Sequence, residues 1–218
     1  MRTAVVFVGG PHRVTGPQPA HPALVGLHAQ RVVAVDSGLH LAEALGWRAD
    51  VVVGDMDSVD PALLERARAG GAAVERHPED KDATDLELAL DGLLVDEVDR
   101  AVVIGADGGR MDHLIGGLLT LCAPRYAPLR LRAWLGGALV VPVRDTERFS
   151  GRPGRQVSIL PVHGTAEGVR TDGLRWPLHG ERLTAGSSRG ISNQMVSDAA
   201  AVSVDGGCVA VVLPEEER

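Results

Sequence analysis

The sequence predicts an α/β protein: an open, mostly parallel sheet with flanking helices, of Rossmann-like kind, followed by a small antiparallel β-sandwich. Three observations carry that expectation. Near-continuous apolar runs ("TAVVFVGG", "RVVAVDSG", "DVVVGD", "RAVVIGADGG") alternate with helical stretches through the first half, the pattern of βαβ units around a sheet buried on both faces. After about Pro124 the chain changes to short β-rich pieces punctuated by Gly and Pro, which suits a sandwich or small barrel. The length, 218 residues, holds one large domain or two small ones. The expected boundaries are 1–124 for the α/β part and 125–218 for the β part.

Each element has a local reason. "TAVVFVGG" reads as a first strand running into a glycine turn, and "LHLAEALG" as a short helix closed by Gly46. "DVVVGD" is a further strand. Asp60 then caps a helix that has Pro61 in its first position and ends at Gly70-Gly71. "AAVERHP" is a short strand. In "ATDLELALDGLLVD", Leu86, Ala89, Leu90, Leu93 and Leu94 share one face at helical spacing, and Thr84 with Glu87 forms a capping box. "RAVVIGADGG" and "MDHLIGGLLTLC" give the next strand and helix. In the second half "LRLRAWLGGALVVPV", "RQVSILPV", "GVRTDGL" and "AAAVSVDGGCVAVVLP" are strands, and "PEEER" is a solvated tail.

Composition narrows the function. A net charge of −7 with scattered arginines argues against general nucleic-acid binding, which needs a basic surface. No uninterrupted apolar stretch approaches bilayer length, so no membrane partner is expected and the protein is read as soluble and cytoplasmic. The two cysteines, Cys122 and Cys208, fit neither a disulfide framework nor a zinc motif. They read as buried, inert thiols.

The polar clusters follow apolar strands, where ligands bind in open α/β sheets. Asp36, Asp55 with Asp57, and the stretch from Asp107 to Arg110 all occupy such places. Asp55 and Asp57 allow two readings. They are either a turn in which Asp57 or Ser58 caps, or two carboxylates on one side of an extended segment suited to a hard cation. In "PEDKDATDLE", Asp82 and Asp85 flank Thr84. Asp85 gains from the helix dipole in a first turn without any function, or it joins the acidic edge, with Lys81 as a point charge for a phosphate. "GADGGRMDH" supplies a Gly-rich turn, Gly108 and Gly109, followed by Arg110 and Asp112. It matches neither a Walker A loop nor the dinucleotide fingerprint. In the β part, Trp176 of "TDGLRWPL" reads as core or edge packing. "GSSRGISNQMVSD" is either a loop or a hydrogen-bonding surface for a small polar ligand.

Taken in order, "VDSG", "GDMDS", "KDATD", "GGRMDH", "GLRWPL" and "ISNQ" resemble the motif series of the thiamine pyrophosphokinase (thiamine diphosphokinase) family, across nearly the whole chain. The resemblance implies an α/β domain followed by a β-sandwich. It also implies transfer of a pyrophosphoryl group from ATP to the hydroxyl of thiamine, with magnesium, in a homodimer with sites between the subunits. Carried onto matching positions, it makes Asp55, Asp57 and Asp85 the metal and catalytic acids and puts Arg110 and Asp112 on the nucleotide-side loop. Asp36, Lys81, Asp82, Thr84, Gly108 and Gly109 line the ATP side. Ser192, Asn193 and Trp176 match the thiamine-side motifs. The chain departs from the family pattern at Ser37, where a glycine is common, and at Gly116-Gly117, where many members have asparagine. Lys81 resembles the bacterial variant of its motif. Alternatives are a related pyrophosphokinase or nucleotidyltransferase for another alcohol, or a catalytically silent nucleotide-binding module.

Overall fold

The structure, a computed structural model, describes residues 1–10, 21–105 and 110–215. The chain divides into two compact units, Met1–Leu114 with Pro128–Gly136, and Ile115–Ala127 with Gly137–Arg218.

In the first unit the apolar runs become β1 (Thr3–Val8), β2 (Arg31–Val35), β3 (Val51–Gly54), β4 (Ala73–Arg76) and β5 (Arg100–Ile104). Between them lie α1 (Gly38–Ala44), α2 (Pro61–Ala69) and α3 (Asp85–Val95). α4 (Met111–Cys122) follows β5 and leads to β6 (Arg130–Leu135). The strands pair in parallel in the order β6-β5-β1-β2-β3-β4. Both faces of this sheet are covered, which is why its central strands are apolar throughout. Ala42 of α1 packs with Val5, Phe7 and Val32, while Leu63 and Leu64 of α2 pack with Ala34 and Val52. Strand residues of the opposite parity, such as Val33, Val35 and Val53, are buried as well. α3 lies against β1, β2 and β3, burying Leu86, Ala89, Leu90 and Leu93. Leu94, expected on that face, is only half-buried.

The caps form as the sequence dictates. Asp60 Oδ1 accepts from the N–H groups of Ala62 and Leu63 at 2.8 and 3.1 Å. The Thr84–Glu87 box closes in both directions, at 2.9 and 3.3 Å. Each such cap stabilises its helix by about 1 kcal/mol, and the second one fixes where α3 begins and so where Asp85 stands.

β6 departs from expectation. The sequence assigns residues 125–218 to the β part, yet Arg130–Leu135 pairs in parallel with β5, from Arg130 beside Arg100 to Trp134 beside Ile104. Its Arg-Leu-Arg-Ala alternation imitates a half-exposed antiparallel strand. The alternation is that of a strand with one buried face: Leu131 and Ala133 are buried, while Arg130 is exposed and Arg132 partly so. α4 supplies the long crossover that a parallel neighbour needs.

The second unit is a β-sandwich. It contains β7 (Ala138–Val143), β8 (Thr146–Ser150), β9 (Gln156–Pro161), β10 (Ala166–Asp172), β11 (His179–Leu183), β12 (Asn193–Gln194), β13 (Ala199–Ser203) and β14 (Val209–Pro214). One sheet runs β12-β9-β14-β7 and the other β11-β10-β13-β8, with antiparallel pairing. Inward residues from both, including Val141, Phe149, Ile159, Val169, Leu183, Val202 and Val211, form one core.

Candidate functional site

In the first unit the site is built at the carboxyl ends of adjacent parallel strands. Asp36 follows β2, Asp55 and Asp57 follow β3, and Lys81 to Asp85 join β4 to α3. Strand order changes direction between β1 and β5, and these residues lie to one side of that switch point, at the ends of β2, β3 and β4.

Gly54 is what lets the first two loops meet. Its φ is 145°, in the range open to glycine. A Cβ there would stand 1.7 Å from Asp36 Oδ1. Asp36 itself has φ 45°, and its Oδ1 accepts from the Met56 N–H at 3.4 Å. Burial, reinforced by the charge and hydrogen bond of Asp85, pushes the Asp36 carboxyl up to about 7.

Asp55 and Asp57 touch. Asp55 Oδ1 accepts from the Asp57 N–H at 2.9 Å. That bond holds the Asp55 carboxyl below its usual range, with Lys81 and Arg76 adding positive charge. Asp57 moves the other way, raised by its side-chain hydrogen bond to Asp55 and by that residue's charge. Two carboxyls held this close are an all-oxygen pair, so the pair fits magnesium, which takes one or two carboxylates and completes its shell with water and phosphates. Asp85 engages other groups. Its Oδ1 faces the Lys81 ammonium at 3.1 Å, with both side chains largely shielded, and its carboxyl lies close enough to Asp36 to raise that group. Lys81 Nζ also donates to the Pro78 carbonyl at 2.9 Å. Among the described residues no three His, Cys, Asp or Glu side chains converge on one metal position.

Asp82 and Thr84 are exposed beside this group, Thr84 as the helix cap. Arg110 and Asp112 engage each other in a two-pronged pair at 2.6 and 3.2 Å, both exposed. Arg110 thereby lowers the Asp112 carboxyl. Gly108 and Gly109 lie outside the described residues, as does Asp107.

In the second unit the stretches "GLRWPL" and "ISNQ" meet. Asn193 is buried. Its Oδ1 accepts from the Trp176 N–H at 3.1 Å and from the Gln194 N–H at 2.9 Å, and its Nδ2 donates to the Trp176 carbonyl at 2.7 Å. Asn193 is therefore a clamp on the backbone of Trp176, and the indole, 45% exposed, is held at the surface instead of being packed in the core. Sequence reasoning missed Arg175. Its guanidinium sits 4.9 Å from the indole centroid and donates to Gln194 Oε1 at 3.2 Å, covering one face of the ring. Its place directly before Trp176 was the available signal. Ser192 adopts φ 59°, and its N–H donates to Ser158 Oγ at 3.1 Å. Replacing Asn193 by Ala strands the Trp176 N–H and carbonyl. The expected loss is about 2–3 kcal/mol, read from the urea midpoint, together with a shift in Trp fluorescence that an unrelated cavity in the sandwich core would not produce.

Comparison with known proteins decides the family. Residues 25–132 match the family description "Thiamin pyrophosphokinase, catalytic domain", and residues 143–209 match "Thiamin pyrophosphokinase, vitamin B1 binding domain". The chain belongs to the thiamin pyrophosphokinase family. The catalytic match ends inside β6, in agreement with the placement of that strand in the first unit. Among relatives, the thiamine pyrophosphokinase of Bacillus subtilis is 26% identical over 202 residues, covering 90% of this chain and 91% of that protein. The crystal structure of the Bacillus subtilis enzyme superposes with a TM-score of 0.80 at 25% identity, over 99% of this chain and 100% of that one. Thiamine pyrophosphokinase 2 of Arabidopsis thaliana is 28% identical over 170 residues, 73% of this chain and 63% of that longer protein. The match to the Bacillus subtilis structure covers nearly the whole of this chain, so the fold is shared.

Proposed function

We propose that this protein is a thiamine diphosphokinase, which transfers the pyrophosphoryl group of ATP to the hydroxyl of thiamine and releases AMP. The observation that carries the reading is the group at the strand ends of the parallel sheet: Asp55 in contact with Asp57, beside Lys81 and Asp85. Phosphoryl transfer requires positioning and neutralisation of oxygen charge with little covalent work by the protein, and this group offers both signs of charge within one loop edge. The strand order, reversing between β1 and β5, supports the Rossmann-like reading of this half.

In this reading Asp55 and Asp57 hold magnesium, whose chemistry is to draw charge from the phosphate oxygens. Lys81 balances a phosphate as a point charge and is itself oriented by Asp85 and the Pro78 carbonyl. Arg110 exchanges Asp112 for phosphate oxygens, to which its planar fork is suited. Asp85, which lies outside the Asp55–Asp57 contact, accepts the proton of the attacking alcohol. Asp36, Asp82, Thr84 and the turn at Gly108-Gly109 complete the ATP side. Trp176 offers its aromatic surface to the thiamine rings, Asn193 fixes that surface, and Ser192 supplies a hydroxyl beside it. The exposed acids also favour a cationic acceptor.

A homodimer and a cytoplasmic location belong to the same reading. Met111, Leu114, Ile115 and Leu119 of α4, all between 41% and 67% exposed, fall on one helical stripe that a second copy would cover. Among the described residues no helix is long and apolar enough to cross a membrane.

A panel of primary alcohols tested with ATP and magnesium separates this reading from a related transferase. Thiamine is expected to give a kcat/KM at least about 100-fold above analogues lacking the thiazolium ring, the scale on which a site built for polar and aromatic contacts discriminates. Equal turnover of unrelated alcohols would favour the broader pyrophosphokinase, and ATP binding without turnover of any acceptor would favour the silent module.

A further inference from the structure

The sandwich unit brings together the chain's only two cysteines. Cys122 ends α4, and Cys208 immediately precedes β14. Both are free and buried, at 0% and 6% exposure, and they share one small cluster with Val162 and Ala210. Each thiol is the largest influence on the other, and the Cys208 thiol donates to the Val209 carbonyl at 3.9 Å. Arg144 adds a charge to this apolar setting. Its guanidinium donates to the carbonyls of Ala123 at 3.0 Å and Leu121 at 3.5 Å, on either side of Cys122. Two inert core thiols need neither mutual contact nor a cation, and the sequence reading of these cysteines as inert does not account for this arrangement.

We propose that Cys122 and Cys208 are a reversible dithiol, closed to an intramolecular disulfide by a peroxide-class oxidant. Cys208 is the attacking thiol. It is the one of the two that solvent reaches, at 6% exposure against 0% for Cys122, and the nearby Arg144 favours the thiolate. The Cys208 thiolate attacks one peroxide oxygen, forming an S–O bond as the O–O bond breaks, and the displaced hydroxide takes a proton to leave as water. Cys122 Sγ then attacks Cys208 Sγ. The S–S bond forms, the S–O bond breaks, and the hydroxyl departs as a second water with the Cys122 proton. Two thiols lose two electrons and the peroxide gains them. A small-molecule thiol reverses the reaction by exchange. Burial directs this chemistry, because the two thiols share one small cluster and the first oxidised species meets Cys122 before it meets further oxidant. The product staples the end of α4 to the start of β14 across a long chain loop.

The test uses the full-length reduced protein, freed of reductant and exposed to hydrogen peroxide at neutral pH. The expected result is loss of two hydrogens in intact mass, a Cys122–Cys208 linked peptide in the non-reduced digest, reversal by dithiothreitol, and a Tm raised by about 5–10 °C. In Cys122→Ser, Cys208 is expected to be trapped as a sulfenic acid by a diketone probe, while in Cys208→Ser the remaining thiol is expected to stay unmodified. The proposal is overturned if both wild-type thiols alkylate fully after denaturation following exposure that oxidises a surface-thiol control protein. It is equally overturned if wild-type Cys208 accumulates as sulfinic acid, or if the disulfide found joins two chains. Because the wild-type arm alone decides these outcomes, failure of either serine variant to fold leaves the test intact.

Discussion

Asp55→Asn and Asp57→Asn are each expected to lower kcat for AMP formation by about 10²–10³-fold, the scale of losing one preorganised electrostatic group at developing phosphate charge. The fold should survive. In Asp55→Asn the new amide oxygen can still accept from the Asp57 N–H, and Asp57 is exposed. Replacing Asp57 also removes a like-charge contact that raises its own carboxyl, so the Tm of that variant should stay within about 2 °C of wild type, as for surface changes generally. The variants should need more magnesium for half-maximal rate. If either one folds normally and keeps full magnesium-dependent turnover, the assignment of this pair to the metal is wrong.

Gly54→Ala is the second large effect. The new methyl would overlap Asp36 Oδ1, and the backbone would be held at φ 145°. Strain and overpacking together imply a loss of about 3 kcal/mol. Activity should fall as well, since Gly54 is the residue from which Asp55 and Asp57 depart. The cause can be separated from general damage to β3. In a Gly54→Ala, Asp36→Ala double variant the clash partner is gone, so the two effects should be far from additive, with stability recovering relative to Gly54→Ala alone. Simple addition of the two losses would place the fault in β3 itself and remove Asp36 from the account of why glycine stands there. Circular dichroism in urea is sufficient to read all three variants.

These two cases show where sequence suffices and where it stops. Local rules identified Asp60 as a helix cap, the Thr84–Glu87 box and the buried face of α3, because each depends on residues within about one turn. The placement of Asp55 and Asp57 beyond a strand was equally local. The fit of Gly54 against Asp36 was not, since it is made between loops of neighbouring strands. The same holds for Asn193 and Trp176, which read as separate motifs and are joined by two hydrogen bonds between the Asn193 amide and the Trp176 backbone. β6 misled for a different reason. Alternation reports burial along a strand and says nothing of the direction in which it pairs. Cys122 and Cys208 met because the end of α4 and the start of β14 share one cluster, a tertiary event that spacing does not encode.

In the proposed reading the clamp on Trp176 also divides the acceptor site into roles. The indole would be the contact surface and Asn193 a positioning residue, with Arg175 a cation already seated on one ring face. A thiamine ring would then have the other face to use. The departure at Gly116-Gly117 lies on α4 and belongs to none of these three roles.

The central claim is the bond that breaks in ATP. Purified full-length protein with ATP, magnesium and thiamine should yield AMP and thiamine diphosphate in equal amounts, followed by ³¹P NMR as the γ- and β-phosphate signals of ATP give way to those of a thiamine-bound diphosphate. ADP with thiamine monophosphate, or free pyrophosphate with an adenylated acceptor, would contradict it.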